Sequence, residues 1–324
     1  PTWLLEYSYA SSNLTNYRID RNEPVDAAML ADIERNVALA GRALEAWEGD
    51  PDVLGHYGNE LAWGADAQAG ACNLEAARRS RLAALSVAEQ LAEQQPGSRS
   101  LMLDVAYRHG GLAGLLLDLG EVELAMTHFD DALELLRALF ARDPSSARYR
   151  QDLAFYLGRA AQARRHAGEY PAASRFLDEA MAFVGPTALE ETATEIDRDH
   201  YLSLLEEQAR IALAREDRAL ASDLLEAHRQ ALDRFTGGEL DYQPNFRRLI
   251  NHRYLGWQLT GTDPATLDAF LVSRMPRMDG PFRGCDDAFA GARHALLTGD
   301  AAGVEVQTDY LSEAGYRDPD FIAF

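Results

Sequence analysis

The sequence predicts an all-α fold of stacked helical hairpins, and two observations carry this prediction. The segment 96–133 aligns with the segment 144–181 at an offset of 48 residues. Alanine recurs at the same interval, at Ala77, Ala125, Ala173 and Ala221. A repeat period of 20 to 50 residues is typical of stacked supersecondary units. The aligned pairs are Pro96/Pro144, Asp104/Asp152, Ala106/Ala154, Tyr107/Phe155, Gly110/Gly158, Gly120/Gly168 and Glu121/Glu169.

Each repeat predicts two helices, which we call helix A and helix B. A proline precedes helix A, where its missing N–H leaves no helical hydrogen bond unmade. Gly120 and Gly168 then end helix A, because glycine readily adopts the left-handed conformation of a helix C-terminus. Glu121 and Glu169 favour the positive N-terminal end of helix B. The recurring alanines of helix B allow helix A to approach closely.

The hairpin pattern extends along the whole chain and predicts about seven hairpins. The glycine- and proline-containing segment Ser273–Cys285 is predicted to be the main internal loop, followed by 235–245. The predicted helix pairs are 3–19 with 24–48, 52–71 with 73–95, 99–119 with 121–142, 146–167 with 170–184, 189–215 with 217–236, 244–259 with 264–274, and 283–298 with 300–314.

The two best repeats resemble tetratricopeptide repeats. The family's turn pattern of glycine, acidic residue, aromatic residue and alanine is matched by Gly168, Glu169, Tyr170 and Ala173, with the later alanine at Ala180. The preceding repeat has Gly120, Glu121, Val122, Ala125 and Ala132 at these positions, and Phe129 at the large apolar position. The repeats around Cys72 and Glu216 lack the glycine.

This resemblance implies one α-solenoid domain over 1–324, coiled as a right-handed superhelix. Its best repeats cover 96–184, the more divergent ones 1–95 and 185–314, and residues 315–324 form a C-terminal cap. The helices are longer than those of the usual repeat of about 34 residues. Such long-helix arrays resemble the C-terminal sensor or scaffold regions of multidomain bacterial signalling proteins, which implies an effector domain elsewhere.

Composition disfavours several functional classes. The formal net charge of −21 argues against a nucleic-acid surface, which needs basic patches. No apolar run reaches the roughly 18 residues of a membrane-spanning helix, so we expect no membrane insertion. All 31 basic residues are arginine. The chain therefore has no lysine for a Schiff base or for a phosphate-binding loop.

The two cysteines, Cys72 and Cys285, lie far apart in the sequence and lack metal-binding spacing. We interpret them as small buried apolar residues, which fits a reducing compartment and a cytoplasmic protein. The first residue is Pro1 rather than methionine, so we expect a processed or excised chain.

We find no catalytic, cofactor or metal motif. His109, His166 and His252 lack the spacing of a two-histidine helical metal site and are interpreted as structural or solvent-facing. The acidic pairs are interpreted as a solvated helix face. The glycines between Gly110 and Gly120 lie inside a helical repeat, without the preceding strand that a phosphate-binding loop requires.

One pattern indicates a binding site. Counting back from the turn glycine places a basic set of helix-A residues on the concave groove used by the resembled family. Arginine binds a carboxylate through two parallel hydrogen bonds, so the predicted partner carries an acidic segment or a free C-terminal carboxylate. The alternative is that these arginines face solvent or pair with the chain's own glutamates. The predicted groove residues are Arg159, Gln162, Arg165, His166, Arg210, Arg248, Asn251, His252 and Arg293.

Three functional classes follow. The leading prediction is a non-enzymatic module that binds a protein or peptide in the groove and relays its occupancy to an effector domain. The second is an enzyme with its active site in the groove or near the loop 273–285. The third is a self-assembling scaffold, in which an apolar patch on an end hairpin would hold a homo-oligomer together.

Overall fold

A computed structural model describes residues 6–14, 27–47, 49–236, 243–261 and 285–324. The regular elements in these ranges are helices, and no strand occurs in them, which confirms the all-α prediction. In chain order they are α1 (residues 6–14), α2 (Ala27–Ala46), α3 (Pro51–Gly70), α4 (Leu74–Gln94), α5 (Arg99–Asp118), α6 (Val122–Arg142), α7 (Ala147–His166), α8 (Tyr170–Ala188), α9 (Glu195–Ala214), α10 (Arg218–Thr236), α11 (Gln243–Thr260), α12 (Cys285–Thr298), α13 (Ala301–Glu313) and α14 (Pro319–Ile322).

The repeat of 48 residues sets the helix boundaries. Helices α3, α5, α7 and α9 begin at residues 51, 99, 147 and 195, and they end at residues 70, 118, 166 and 214. Helices α4, α6, α8 and α10 begin at residues 74, 122, 170 and 218. The first set is helix A of four successive repeats, and the second set is helix B.

The turn between helix A and helix B has one backbone conformation in all four repeats. Residues Cys72, Gly120, Gly168 and Glu216 have φ values of 61°, 75°, 76° and 60°. In each turn the next residue's N–H donates to a carbonyl five residues back, as Glu169 does to Arg164 at 2.8 Å. This pattern is a Schellman C-cap. The turn therefore persists in the two repeats that have lost the glycine.

The repeated alanines are fully buried. Ala77, Ala125, Ala173 and Ala221 each have 0% of their surface exposed. Helix B packs against helix A in the α3–α4, α7–α8 and α9–α10 hairpins. A buried small residue at this repeated position fits the predicted close approach of the two helices.

Two predicted helix boundaries between α8 and α9 are wrong. Helix α8 continues to Ala188 instead of ending at residue 184, and it includes Pro186, whose missing N–H removes one helical hydrogen bond near the end of the helix. Helix α9 begins at Glu195 rather than residue 189, because Thr194 caps it by accepting a hydrogen bond from the Asp197 N–H. The predicted helix 264–274 and most of the predicted loop 273–285 lie outside the described residues.

Contacts divide the chain into two compact units. Unit 1 contains Pro1–Leu135, Arg283–Cys285 and Glu313–Phe324, and unit 2 contains Leu136–Phe282 and Asp286–Ser312. No helix among the described residues is long and apolar enough to span a membrane. The single solenoid domain and its superhelical hand stay predictions.

The C-terminal segment packs onto the α5–α6 turn within unit 1. The Arg317 N–H donates to the Asp118 carbonyl at 2.6 Å. A Cβ atom at Gly120 would lie 2.8 Å from the Arg317 carbonyl oxygen. Both the positive φ of the turn and this close contact therefore favour glycine at position 120. Tyr316 and Phe321 are buried in the same segment, with their ring centroids 5.6 Å apart.

The interpretation of the cysteines as unpaired is wrong. Cys72 and Cys285 are both buried, but they form a disulfide that closes a sequence separation of 213 residues. Sequence distance does not report spatial distance, which is the reason for the error. A disulfide does not support the predicted reducing compartment.

Candidate functional site

Most of the predicted groove residues meet in unit 2, in a network that we call the Glu206–Glu207 network. Helices α7, α9, α11 and α12 each contribute side chains to it. Its centre is the adjacent pair Glu206 and Glu207 on α9, both almost completely buried. Buried carboxylates require charged or hydrogen-bonding partners.

Arginines of helix A hold Glu207. The Arg165 Nε atom of α7 donates to Glu207 Oε1 at 2.5 Å, and its Nη2 atom donates to Oε2 at 3.4 Å. Arg210 Nη1, one turn further along α9, lies 3.5 Å from Glu207 Oε2. The two-bond contact of Arg165 is the geometry expected for a strong carboxylate pair.

Glu206 has partners on three helices. Arg248 Nη1 and Asn251 Nδ2 of α11 donate to its two carboxylate oxygens at 3.4 and 3.2 Å, and Arg210 Nη2 donates at 3.4 Å. His228 Nε2 of α10 lies 3.3 Å from Glu206 Oε1. Burial by itself raises the pKa of Glu206, but Arg248, His228 and Arg210 together outweigh burial and hold the pKa well below its ordinary value.

Two imidazoles extend the network. The rings of His228 and His252 are stacked, with centroids 5.2 Å apart and planes 9° apart. Burial, reinforced by repulsion from His228, lowers the pKa of His252 to about 4. His252 is therefore neutral at pH 7.

The remaining predicted residues lie at the borders of the network. Arg293 of α12 donates to Asn251 Oδ1 at 2.8 Å, and its guanidinium carbon lies 3.9 Å from the Phe289 ring centroid. Arg159 donates to Gln162 at 2.6 Å within α7. His166 lies beside Arg165, with nitrogen distances of 3.4 and 3.5 Å.

The acidic-ligand prediction assumed that the groove arginines are available to bind a ligand carboxylate, and these contacts show that this assumption is wrong for three of them. Arg165, Arg210 and Arg248 already pair with the chain's own carboxylates, including Asp199, whose Oδ1 accepts from Arg248 Nη2 at 2.7 Å. These three arginines therefore follow the alternative prediction, in which the groove arginines pair with the chain's own carboxylates. An acidic ligand would have to compete with these pairs.

Comparison between repeats gives a signal that our sequence reasoning missed. Glu206 occupies the position of Ala62, Gly110 and Gly158 in the preceding repeats. His228 occupies the position of three fully buried alanines, Ala84, Ala132 and Ala180. A glutamate and a histidine that replace small residues in one repeat indicate an interhelical polar pair there.

A second surface lies on helix A, and we call it the helix-A face. In α7 the residues that are not buried fall mainly on one stripe at helical spacing, which includes Gln151, Phe155, Arg159 and Gln162. Phe155 is 44% exposed, and its ring centroid lies 5.5 Å from that of His200 on α9. In unit 1 the equivalent stripe of α3 carries Trp63, which is 37% exposed.

Unit 1 also contains a buried Ser–His–Glu cluster. Ser8 Oγ of α1 lies 2.9 Å from His56 Nε2 of α3, and His56 Nδ1 lies 3.7 Å from Glu60 Oε1. Ser12 Oγ donates to Glu60 at 2.5 Å. Burial lowers the pKa of His56 and raises that of Glu60, where the Ser12 hydrogen bond opposes the shift. The four side chains are almost completely buried, so they join α1 to α3.

A scan against known protein families finds no match, and a search of curated proteins finds no similar sequence. The resemblance to tetratricopeptide repeats therefore stays a prediction.

Proposed function

We propose that this chain is a non-enzymatic helical-repeat module that binds a peptide or a protein segment along the helix-A face. The bound segment would occupy the groove predicted for tetratricopeptide-like arrays and pass its occupancy to an effector domain. Repeat arrays suit this role because they present an extended surface built from successive units.

The observation that carries the proposal is the exposed aromatic side chain on the face that helix A leaves uncovered. Helix α7 is buried on its other sides, yet Phe155 lies 44% exposed among polar neighbours. Trp63 lies on the same exposed stripe of α3, one turn beyond the position equivalent to Phe155. Aromatic side chains surrounded by polar groups are typical centres of binding energy in interfaces.

The geometry changes the expected ligand chemistry. Because Arg165 and Arg248 are paired within the chain, a ligand carboxylate is not the main anchor. An apolar or aromatic ligand side chain against Phe155 and His200 fits better. Arg159 and Gln162 on the same stripe offer polar groups beside that anchor.

A displayed library of random peptides, selected against the full chain, tests the proposal. Selected peptides should bind the wild-type chain with micromolar affinity, and Phe155→Ala should weaken binding at least tenfold, the range of an interface hot spot. Trp63→Ala tests the equivalent stripe of unit 1. Titration calorimetry with synthetic copies of the peptides gives the affinities.

Matched controls are available in both units. Leu220 on α10 is 45% exposed and Leu82 on α4 is 47% exposed, so Leu220→Ala and Leu82→Ala remove similar apolar surface from helix B. These variants should change peptide affinity less than twofold. The proposal is wrong if no peptide is selected, or if the helix-B variants lose as much affinity as the helix-A variants.

One observation favours the enzyme alternative, namely the contact between Ser8 Oγ and His56 Nε2. A hydroxyl within hydrogen-bond reach of an imidazole is the arrangement of a serine nucleophile and its base. Ser8 has no exposed surface, however, which leaves a substrate carbonyl no access. A fluorophosphonate probe separates the two functions: labelling that disappears in Ser8→Ala would establish the enzyme, and the binding module predicts no labelling.

A further inference from the structure

Helices α5 and α6 of unit 1 bring two imidazoles and a carboxylate together. His109 lies on α5, and His128 and Asp131 lie one turn apart on α6. One ligand atom from each lies within 4.8 Å of the other two. His109 Nδ1 is 2.9 Å from His128 Nδ1, and Asp131 Oδ2 is 3.6 Å from the first nitrogen and 3.9 Å from the second.

We propose that His109, His128 and Asp131 bind a divalent transition-metal ion such as Zn²⁺. Tetrahedral bonds of about 2.0 Å place two ligand atoms about 3.3 Å apart. The three distances above bracket that value, so small side-chain rotations would complete the coordination. Two imidazoles with one carboxylate form a ligand set that suits zinc, iron and related ions.

The facing imidazole nitrogens support a shared ion. The two Nδ1 atoms can hydrogen-bond to each other only if one is protonated and the other is not. A metal ion accepts the lone pairs of both, and each ring is then protonated at Nε2. His109 Nε2 lies 3.8 Å from the carboxylate of Glu89 on α4, where metal-bound histidines usually find an orienting partner.

The candidate ligands are accessible from solvent, and the His128 side chain is 22% exposed. The side chain of His109 is 12% exposed and that of Asp131 is 49% exposed, so an ion could enter from solvent.

Comparison between repeats argues that the cluster is specific to this hairpin. In three other repeats the position of His109 is a buried leucine, namely Leu61, Leu157 or Leu205. The position of His128 is Ser80, Phe176 or Leu224, and that of Asp131 is Ala83, Glu179 or Ala227. One hairpin thus has two imidazoles and a carboxylate that meet across the helices, where its siblings have a leucine on helix A and mostly apolar residues on helix B.

A bound ion would join α5 to α6 through three protein ligands and leave a position for water or another ligand. This role is independent of peptide binding on the helix-A face. It would stabilise the hairpin in proportion to the free metal concentration, because the unfolded chain does not hold the three ligands together.

Titration of the full chain with Zn²⁺, followed by calorimetry, tests the site, and Co²⁺ absorption reports the coordination geometry. Reductant is left out so that Cys72 and Cys285 stay joined and offer no thiolates. We expect one equivalent to bind at micromolar or lower concentration. His109→Leu and His128→Leu should each weaken binding at least tenfold, and Glu89→Gln about tenfold.

Folding and background binding are controlled separately. His109→Leu restores the residue that the sibling repeats carry, so its metal-free melting temperature should equal or exceed that of the wild type. His294→Gln on α12 removes an imidazole that is not part of the cluster and should leave Zn²⁺ affinity unchanged. The proposal is overturned if the wild type shows no stoichiometric Zn²⁺ binding, or if His109→Leu and His128→Leu bind Zn²⁺ as tightly as the wild type does.

Discussion

The fourth hairpin, α7–α8, and the fifth hairpin, α9–α10, have the same helix boundaries but different cores. At one helix-A position the fourth hairpin has Gly158 where the fifth has Glu206, and at one helix-B position Ala180 stands where the fifth has His228. All four residues lie in unit 2. The comparison teaches that the backbone of a repeat can be kept while small core residues are replaced by ionisable ones.

The replacement succeeds because the next hairpin supplies the compensating charge. Arg248 of α11 contacts both Glu206 and Asp199, and it is joined there by Asn251. The fourth hairpin has Gly158 and Ala180 at the equivalent positions, so it needs no compensating charge there. Stability of the fifth hairpin should therefore depend on its neighbour far more than that of the fourth.

The largest effect is expected from Arg248→Met. Removing one partner of a buried ion pair leaves an uncompensated charge and destabilises by about 3–5 kcal/mol. Urea unfolding measures the loss. Arg229→Met is the matched control, because Arg229 pairs with Glu226 at the surface, where an ion pair contributes about 0–1 kcal/mol. Adding Glu206→Ala should recover most of the loss, and equal losses in the two arginine variants would contradict the role of Arg248.

Acidification should next most strongly destabilise the packing of α11 on the fifth hairpin, where His252 stacks on His228. An unfolded histidine binds a proton below about pH 6.5, whereas folded His252 stays neutral down to about pH 4, so unfolding is favoured as the pH falls through this window. The expected loss between pH 7.5 and 4.5 is roughly 2–3 kcal/mol. The groups that act on His252 are His228, Glu206, Arg229 and Glu226.

His252→Leu isolates this contribution, since Leu204 has the equivalent place in the preceding helix A. The variant should show a flatter dependence of the unfolding free energy on pH between 4.5 and 7.5. A slope identical to that of the wild type would assign the acid sensitivity to other groups.

The buried alanines test the property that the two hairpins share. Ala173→Leu in the fourth hairpin and Ala221→Leu in the fifth should each destabilise by about 1–3 kcal/mol, because extra volume overpacks the contact of the helices. Ala219→Leu is the control, since Ala219 is exposed on the same helix as Ala221. Thermal unfolding measures all three, and unchanged melting temperatures at both buried sites would show that the repeat register is wrong.

The turns should give the smallest effect. Glu216 adopts a φ of 60°, which costs a residue with a side chain about 1–2 kcal/mol. Glu216→Gly should therefore stabilise the chain by about 0.5–1 kcal/mol after the entropy of glycine in the unfolded state is included. Gly168→Glu should destabilise by a similar amount. Differential scanning calorimetry checks both, and a loss of stability in Glu216→Gly would mean that its side chain has a role of its own.

The fold was largely predictable because it depends on local features. The 48-residue offset, the turn glycines and the buried alanines are all visible in one sequence, and they locate helices A and B of the central repeats. The errors at Pro186 and Thr194 arise where a tolerated proline and a side-chain cap override the expected breaks.

The candidate site was only partly predictable. Helical counting brought Arg165, Arg210 and Arg248 to one region, but it could not show that Glu206 and Glu207 face them, because pairing depends on the packing of successive hairpins. Spacing rules for a single helix likewise miss a cluster such as His109 with His128, which forms across two helices. Position-by-position comparison of the repeats would have found both sets.

The identical turns at 72, 120, 168 and 216 also bear on how such a chain can evolve or be rebuilt. Excising or duplicating the segment between two of these turns joins backbone segments that share a positive φ at the turn and the same terminal hydrogen bonds. Length can therefore change in whole steps of 48 residues without a new junction having to be invented. The ion pair between Glu206 of α9 and Arg248 of α11 restricts such changes. Helices α9 and α11 would have to be moved together to keep this pair.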